Sequence, residues 1–401
     1  MAVRMTRPLA RSLQAVRSLD WLYDPKTRGL IFQVALVVAL IVLGYEIVTN
    51  TAENLRKQNL ASGFGFLGKT ASFDISQTLI EYRSTMSYGR AFLVGLLNTL
   101  LVSALGIVMA TLLGFAIGLG RLSPNWIVAR LSTAYVEAVR NVPLLLQLFV
   151  WYVGVLRTMP MPQQALALGP AHVDVRGVHL PRFVLHGEVG WILVVALLCG
   201  IAWAAVLARW ARRRQLATGQ TFPVAAAGLG VIVGLPLLAL LLLGVPISLD
   251  HPHLGRFNFE GGLTVEPEFM ALLAGLTFYT AAFIAEIVRS GIEAVPRGQK
   301  EAAAALGLRP WQVQRLVVIP QSLRVIIPPL TNQYLNLTKN SSLAVAIGYP
   351  DLVSVFAGTV LNQTNQAVEV ILITMGVYLA ISLATALAMN WFNARMALVE
   401  R

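Results

Sequence analysis

Eight apolar runs, separated by polar segments, restrict the possible folds of this chain more than any other feature. Most of them hold about 20 residues, enough for a helix to cross the roughly 30 Å hydrocarbon core of a bilayer. Hydrophobic residues fill 56% of the 401 positions and charged residues only 12%, which is typical of a helical membrane protein. We therefore predict an all-α polytopic membrane protein with about eight transmembrane helices. The predicted spans are Leu30–Val48, Ala91–Leu119, Pro143 to about Leu156, Val189–Ala208, Phe222–Leu243, Phe269–Val288, Ser322–Gly348 and Val370–Trp391.

The distribution of Lys and Arg predicts the orientation of these spans. With the N-terminus inside, the cytoplasmic segments hold 21 of the 31 Lys and Arg residues. Basic cytoplasmic loops are the usual pattern of membrane proteins, so both termini are predicted to be cytoplasmic. The same pattern accounts for the net charge of +12 without a nucleic-acid partner. Residues 1–29 are polar and basic, and predict a cytoplasmic arm rather than a cleavable signal peptide.

The segment 299–320, QKEAAAALGLRPWQVQRLVVIP, is polar and alanine-rich and lies between two long apolar runs. A short helix over Lys300–Leu306 is predicted to end at Gly307, which can adopt φ > 0. Pro310 suits the first turn of a second helix. We expect a helix–turn–helix on the cytoplasmic side, with its small side chains facing outward. Such a surface lets another backbone approach closely, which predicts a docking site for a partner protein.

A polar stripe lies in the seventh predicted span. Asn332, Asn336 and Asn340 recur every four residues and share one helix face, and Lys339 lies beside them. Polar groups are costly against lipid, so the stripe should face other helices or a water-filled path. A lining for a polar substrate and simple hydrogen bonding between helices both remain open. Pro328 and Pro329 are expected to break this helix.

Three residues of the sixth predicted span could face the same path. Tyr279 and Thr280 lie within the span, and Glu286 lies near its cytoplasmic end. Glu286 has two possible roles, a carboxylate in the path or an ion-pair partner of Arg289.

We expect no enzymatic activity, cofactor or metal site in this chain. No set of residues is typical of catalysis, and the single cysteine, Cys199, lies in an apolar run. Gly63–Thr70 matches the pattern G-x-x-x-x-G-K-[ST], but no buried strand is predicted before it, so a nucleotide site is not expected. The histidines fall in two predicted external loops, where we expect exposure to solvent. They are His172, His179, His186, His251 and His253.

The spacing in segment 299–320 resembles the cytoplasmic EAA loop of ABC importer permeases with the type I fold. Glu301-Ala302-Ala303 is followed at the family's spacing by Gly307 and by an aliphatic-x-aliphatic-Pro ending at Pro320. Other stretches resemble the polar and general L-amino acid branch of this family, whose long members pair two different permeases. These stretches are 95–107, 140–154, 277–292 and 337–348.

The resemblance implies a division of the chain and a set of partners. The predicted divisions are a cytoplasmic arm (1–29), an extra first helix and external loop (30–90), core helices (91–158), inserted loops and a helical hairpin (159–268), and core with the EAA loop (269–395). Implied partners are a second permease, two copies of a cytoplasmic ATPase that binds ATP and Mg²⁺, an external amino-acid-binding protein and the L-amino acid. The implied location is the bacterial inner membrane.

In the implied mechanism, ATP-driven closure of the ATPases pushes the EAA loops and swings the helices between outward-open and inward-open states. The coupling residues would be Glu301, Ala302, Ala303 and Gly307. An amino-acid transporter driven by an ion gradient is the alternative, because Lys339 and Glu286 lie inside or near the membrane. No internal inverted repeat, which is common in such transporters, is evident.

Overall fold

The computed structural model describes residues 25–57, 63–185, 189–242 and 247–396, and these are mostly helical. In chain order the α-helices are α1 (Pro25–Lys57), α2 (Tyr88–Arg121), α3 (Trp126–Arg140), α4 (Leu144–Phe149), α5 (Val189–Thr218), α6 (Val224–Leu242), α7 (Pro267–Glu293), α8 (Arg297–Ala305), α9 (Pro310–Val313), α10 (Ile319–Asn340), α11 (Leu361–Thr364) and α12 (Ala367–Met396). Wider π-helical turns continue α4 over Val150–Val155 and α9 over Gln314–Val318, and another covers Val353–Val360. Tight 3₁₀ turns occupy Phe64–Gly68, Leu156–Thr158, Pro162–Gln164 and Ser341–Ile347.

The predicted all-α fold class is confirmed. Fewer helices than predicted are apolar over a length that can cross a membrane. Within the described ranges, α1, α2, α5, α6, α7 and α12 are long and apolar enough to cross a membrane. A seventh span is reached if α3 and Leu144–Thr158 are counted together, and these are bent by 106°. The predicted third span is thus one arm of a bent pair. The predicted seventh span exists as α10, whose polar side chains keep it out of the apolar set.

Helix α10 runs without a break through Pro328 and Pro329, so the predicted break is wrong. Proline removes one helix hydrogen bond, but its fixed φ is compatible with a helix. Both prolines are exposed, on the side of α10 away from the buried Ile326, Ile327 and Leu330. Because proline has no N–H, the carbonyls of Arg324 and Val325 lose their usual helix donors on this side.

The core consists of α2 packed against α7, with α10 on α7 and α12 on α10. Two glycines of α2 allow the closest approach. A Cβ added at Gly114 would lie 2.6 Å from Ile284, and one at Gly118 would lie 2.8 Å from the Ala285 carbonyl. Small residues permit such contacts in lipid, where dispersion between surfaces replaces the hydrophobic drive.

Two regions predicted as loops form small antiparallel sheets at the N-terminal end of α7. The strands are β1 (Leu166–Leu168), β2 (Ala171–Asp174), β3 (Gly177–Leu180), β4 (Arg182–Leu185), β5 (Ile247–Asp250), β6 (His253–Leu254), β7 (Phe259–Glu260) and β8 (Leu263–Val265). One sheet has the order β1-β2-β3-β8, while β4 pairs with β5 and β6 with β7. Strands from before and after the α5–α6 hairpin therefore pair with each other.

The expected exposure of the histidines is wrong for His179. It is fully buried, with Nε2 3.1 Å from Asp174 Oδ2 and Nδ1 3.0 Å from Thr264 Oγ1. Pairing between β2 and β3 places it opposite His172, and both rings lie against Phe259. His251 and His253 are exposed, as expected, whereas His186 lies outside the described residues.

The Gly63–Thr70 segment lacks the geometry of a phosphate-binding loop. A working loop opens a helix at its Gly-Lys end. Here a 3₁₀ turn ends at Gly68, Lys69 is extended, and Thr70 forms a bridge with Ser87. Phe66 is buried in a cluster with Tyr88 and Phe356. The segment thus packs against the N-terminal end of α2. Of the predicted arm, residues 1–24 lie outside the described residues.

Replacement of Gly114 by alanine is expected to destabilise the protein by about 1–3 kcal/mol, because the new methyl group would overlap Ile284. Thermal unfolding of the detergent-solubilised protein would measure the loss. Gly376→Ala in α12 is the matched control, since nothing lies within 4 Å of a Cβ there. Equal melting temperatures for the two variants would contradict the packing of α2 on α7.

Candidate functional site

The segment after α7 folds as the predicted helix–turn–helix. Helix α8 ends at Ala305, and Gly307 follows with φ of 78°, the left-handed conformation expected of it. Pro310 opens α9, where the Gln312 side chain accepts a hydrogen bond from the Arg309 N–H at 2.8 Å. We call residues 297–318 the coupling loop. Its fold rests on a glycine and a proline that suit these two positions.

One of the alanines predicted to face outward is buried within the coupling loop. Ala303 is only 4% exposed and packs with Val295, Val313 and Val318. Glu301 and Ala302 are exposed. An α-helix of nine residues resting on its neighbours must turn one face inward, and Ala303 lies on that face. The expectation of an outward surface therefore holds for Ala302 and is wrong for Ala303.

The coupling loop also exposes large apolar side chains that sequence reasoning missed. Leu306 is 82% exposed at the turn, and Trp311 and Leu316 are 57% and 60% exposed. Large apolar residues in a short polar loop are ordinarily assigned to its core, and the motif spacing does not mark them. The position of Leu306 directly before the turn at Gly307 was the available signal for that residue.

The polar side chains of α10 lie on a face that the rest of the described chain leaves open. Asn332, Asn336 and Lys339 are exposed, while Asn340 is half-buried. With 3.6 residues per turn, position i+7 lies within about 20° of position i, whereas i+8 is displaced by about 80°. Lys339 therefore lies close to Asn332 at one edge of this stripe, and Asn340 lies at the other edge, nearest the buried face.

The opposite face of α10 packs into the core. Leu330, Leu337 and Thr338 are buried, and the tip of Leu337 fills the space beside Gly106 of α2. The hydroxyl groups of Tyr334 and Thr111 are 2.9 Å apart and link α10 to α2. One face of α10 is thus fixed, and the polar face points away from it.

A cavity of about 460 Å³ adjoins Lys339. It lies between α10, the π-helical turn over Val353–Val360 and α12, and its lining is mostly apolar. The lining residues are Lys339, Ser342, Val353, Thr374, Met375, Tyr378, Leu379 and Ser382. No carboxylate of the described chain lies within salt-bridge distance of the Lys339 ammonium. The hydroxyl groups of Ser342, Thr374 and Tyr378 already donate hydrogen bonds within the chain. The group that this cavity offers to an anion is therefore the ammonium of Lys339.

Tyr279 and Thr280 of α7 are less exposed than the polar stripe of α10. Thr280 is 3% exposed, and Tyr279 is half-buried with its ring against Phe283. In this conformation, neither extends the exposed polar face of α10.

Glu286 lies in an ionic cluster where α2, α3 and α7 end. Its carboxylate binds Arg121, bonds to Arg289 at 2.6 Å, and lies 3.7 Å from Arg140. Arg289 also binds Glu293. The ion pair with Arg289, one of the two roles considered for Glu286, is therefore present. Glu286 also pairs with Arg121 and Arg140. The cluster ties together three helices immediately before the coupling loop.

The chain is similar to known transport proteins over nearly its whole length. Residues 200–398 match the family described as binding-protein-dependent transport system inner membrane component. The general L-amino acid transport system permease protein AapQ of Rhizobium johnstonii is 53% identical, and the alignment covers 95% of each chain. The putative amino-acid ABC transporter permease protein YhdX of Escherichia coli is 52% identical over 94% of this chain and 96% of the relative. The permease BztB of a glutamate/glutamine/aspartate/asparagine transport system in Rhodobacter capsulatus is 42% identical over 95% and 96%. Alignments of this length take in the α5–α6 hairpin.

Replacement of Glu286 by glutamine should cost about 1–3 kcal/mol of stability, because it leaves three partly buried guanidinium groups without their shared anion. Glu293→Gln is the control. Glu293 is 51% exposed and pairs with Arg289 alone, so its loss should cost less than about 1 kcal/mol. Unfolding in detergent would measure both, and equal losses would contradict the central place of Glu286.

Proposed function

Because this chain belongs to the amino-acid permeases of ABC importers, with the type I fold, we propose that its coupling loop transmits ATPase movement and that the polar face of α10 lines the amino-acid path. The chain is a multi-pass membrane protein and a non-catalytic subunit, and ATP is hydrolysed by a partner ATPase. The single observation that carries the proposal is the fold of the coupling loop, with Glu301 and Ala302 exposed beside the turn at Gly307.

We assign the docking role to Glu301, Ala302 and Gly307, with Leu306 and Trp311 as apolar anchors. The exposed methyl group of Ala302 leaves room for a partner backbone, and Glu301 offers a charge at the edge of the contact. Ala303 acts differently from the prediction, because its burial holds α8 against α9.

Contacts within the chain support a route for movement from the coupling loop to the spans. Helix α8 begins four residues after α7 ends, and its buried cluster includes Val295 and Val318 at the junctions with α7 and α10. Displacement of α8 therefore pushes on both helices. The ionic cluster around Glu286 lies at the same end, so movement of α7 must carry or break these pairs.

The proposed complex holds a second permease and two copies of a cytoplasmic ATPase that binds ATP and Mg²⁺. An external amino-acid-binding protein delivers the substrate. The paired permeases GltJ and GltK of Escherichia coli glutamate/aspartate import, each partly similar to this chain, support a second permease. We place the complex in the bacterial inner membrane with both termini and the coupling loop in the cytoplasm, as the distribution of Lys and Arg supports.

The exposed stripe on α10 supports a substrate path. Polar groups facing lipid are costly, so Asn332, Asn336 and Lys339 need a protein or water surface opposite them. A second permease would close that face, with the amino acid passing between the two subunits. The Lys339 ammonium would then attract the α-carboxylate that all amino acids share.

The ion-gradient alternative is not favoured, because the relatives include proteins named as ABC transporter permeases. Uptake into proteoliposomes that required the ATPase subunit and ATP would agree with the main proposal. Uptake driven by a proton or sodium gradient without the ATPase would contradict it.

Ala302→Leu and Ala303→Leu should have different effects. At the exposed Ala302, leucine is expected to reduce capture of the cognate ATPase at least tenfold, with an unchanged melting temperature. At Ala303, leucine should lower the stability by about 1–3 kcal/mol through overpacking. Pull-down from detergent and thermal unfolding would separate the two. Normal ATPase capture by the Ala302 variant would contradict the docking surface.

Lys339→Met should reduce amino-acid uptake by the reconstituted importer at least tenfold, because it removes the cation beside the cavity. ATPase capture should stay normal, since Lys339 is far along α10 from the coupling loop. Ser382→Ala provides a control that keeps the charge at the same cavity. Undiminished uptake with the Lys339 variant would remove Lys339 from the path without affecting the docking proposal.

A further inference from the structure

The α5–α6 hairpin ends in a basic tip. The two helices pack on each other, with Gly200 of α5 beside the Ile232 backbone of α6. Four arginines lie within one stretch of six residues near the tip, and residues 189–242 contain no Asp or Glu. The arginines are Arg209, Arg212, Arg213 and Arg214, and all are exposed. No carboxylate of the described chain lies within salt-bridge distance of any of them.

Two tryptophans set the depth of this tip in the membrane. Trp191 and Trp210 of α5 are exposed and 19 residues apart, which corresponds to about 28 Å along a helix. That distance matches the hydrocarbon core of a bilayer, and tryptophan is enriched at its two interfaces. Arg212 and Arg213 therefore follow directly after the second interface, at the level of the lipid headgroups.

Three of the arginines share one helix face. Arg209, Arg212 and Arg213 are related by three and four positions and fall within about 100° of each other around α5. Arg214 points away from them. Its guanidinium stacks on Trp210 at 5.4 Å, and Nη2 donates to Gln220 Oε1 at 2.9 Å.

The like charges on this face repel each other, and the helix end does not account for them. Adjacent like charges at these spacings destabilise a helix. Favourable interaction with the helix dipole is limited to the last turn, and α5 continues past Arg214 to Thr218 with no basic residue in that turn. An anion between the guanidinium groups would remove the repulsion.

We propose that Arg209, Arg212 and Arg213 bind the phosphate headgroups of anionic phospholipids. Guanidinium groups donate paired hydrogen bonds to phosphate oxygens, and the depth set by Trp210 brings the face to the headgroup layer. β4 and β5 join the other end of the hairpin to the β region that precedes α7. The tip therefore lies on the side of the membrane that holds the coupling loop. The hairpin serves as a lipid contact of the permease at that surface.

Native mass spectrometry of the full-length chain in detergent tests this proposal. Phosphatidylglycerol is titrated against phosphatidylcholine with the same acyl chains. Wild type should retain phosphatidylglycerol at least tenfold more tightly. The R209Q/R212Q/R213Q variant should weaken this binding on the order of a hundredfold, since each basic residue near a membrane contributes about a fivefold effect. Equal retention of the two lipids by wild type would overturn the proposal.

Single variants keep three arginines, so they retain most of the charge that orients the hairpin. R209Q, R212Q and R213Q should each weaken phosphatidylglycerol binding about fivefold. R214Q is the matched control on the same helix and should have little effect, because its side chain is held by Trp210 and Gln220. An equal loss in R214Q would overturn the assigned face. Displacement of the lipid by millimolar inorganic phosphate would show a soluble-anion site and would overturn the headgroup assignment.

Discussion

Close contact between α2 and α7 is the interaction on which the rest of the structure depends. Lipid is as apolar as a leucine side chain, so spanning helices gain little by hiding apolar surface from it. Dispersion forces must hold them together, and these require short distances. Gly114 and Gly118 provide such distances to Ile284 and Val288. Because α7 leads directly to the coupling loop, this contact also fixes the position from which α8 projects.

The two faces of α10 differ, since one packs into the core and the other is the face that we propose lines the amino-acid path. Leu330 and Leu337 hold it to the core, and this leaves the stripe through Asn332, Asn336 and Lys339 without a protein surface opposite. Pro328 and Pro329 add two carbonyls without helix donors on the same side. A helix with this composition would be poorly solvated by lipid alone. The single chain is thus an incomplete unit, in agreement with the pairing of permeases in its family.

The sequence predicted the helical class, the coupling loop and the polar stripe because each depends on local chemistry. Apolar length identifies spans, Gly307 and Pro310 identify a turn, and a four-residue period identifies a helix face. Features that depend on tertiary contacts were missed. The burial of Ala303 depends on where α9 lies, and the burial of His179 depends on pairing between strands on both sides of a hairpin. The break expected at Pro328 is absent because the fixed φ of proline is a helical value, so the helix loses donors for two carbonyls and still continues.

The pairing of β3 with β8 imposes an order on assembly. Val178 pairs with Val265, and the whole α5–α6 hairpin lies between them in the chain. Strand β8 returns to the side of β3 only after both hairpin helices have crossed the bilayer, so the four-stranded sheet cannot close earlier. When this sheet forms, His179 is buried against Thr264 and the start of α7 is held in position. Formation of the four-stranded sheet therefore requires that the whole α5–α6 hairpin has been made before β8 can pair with β3.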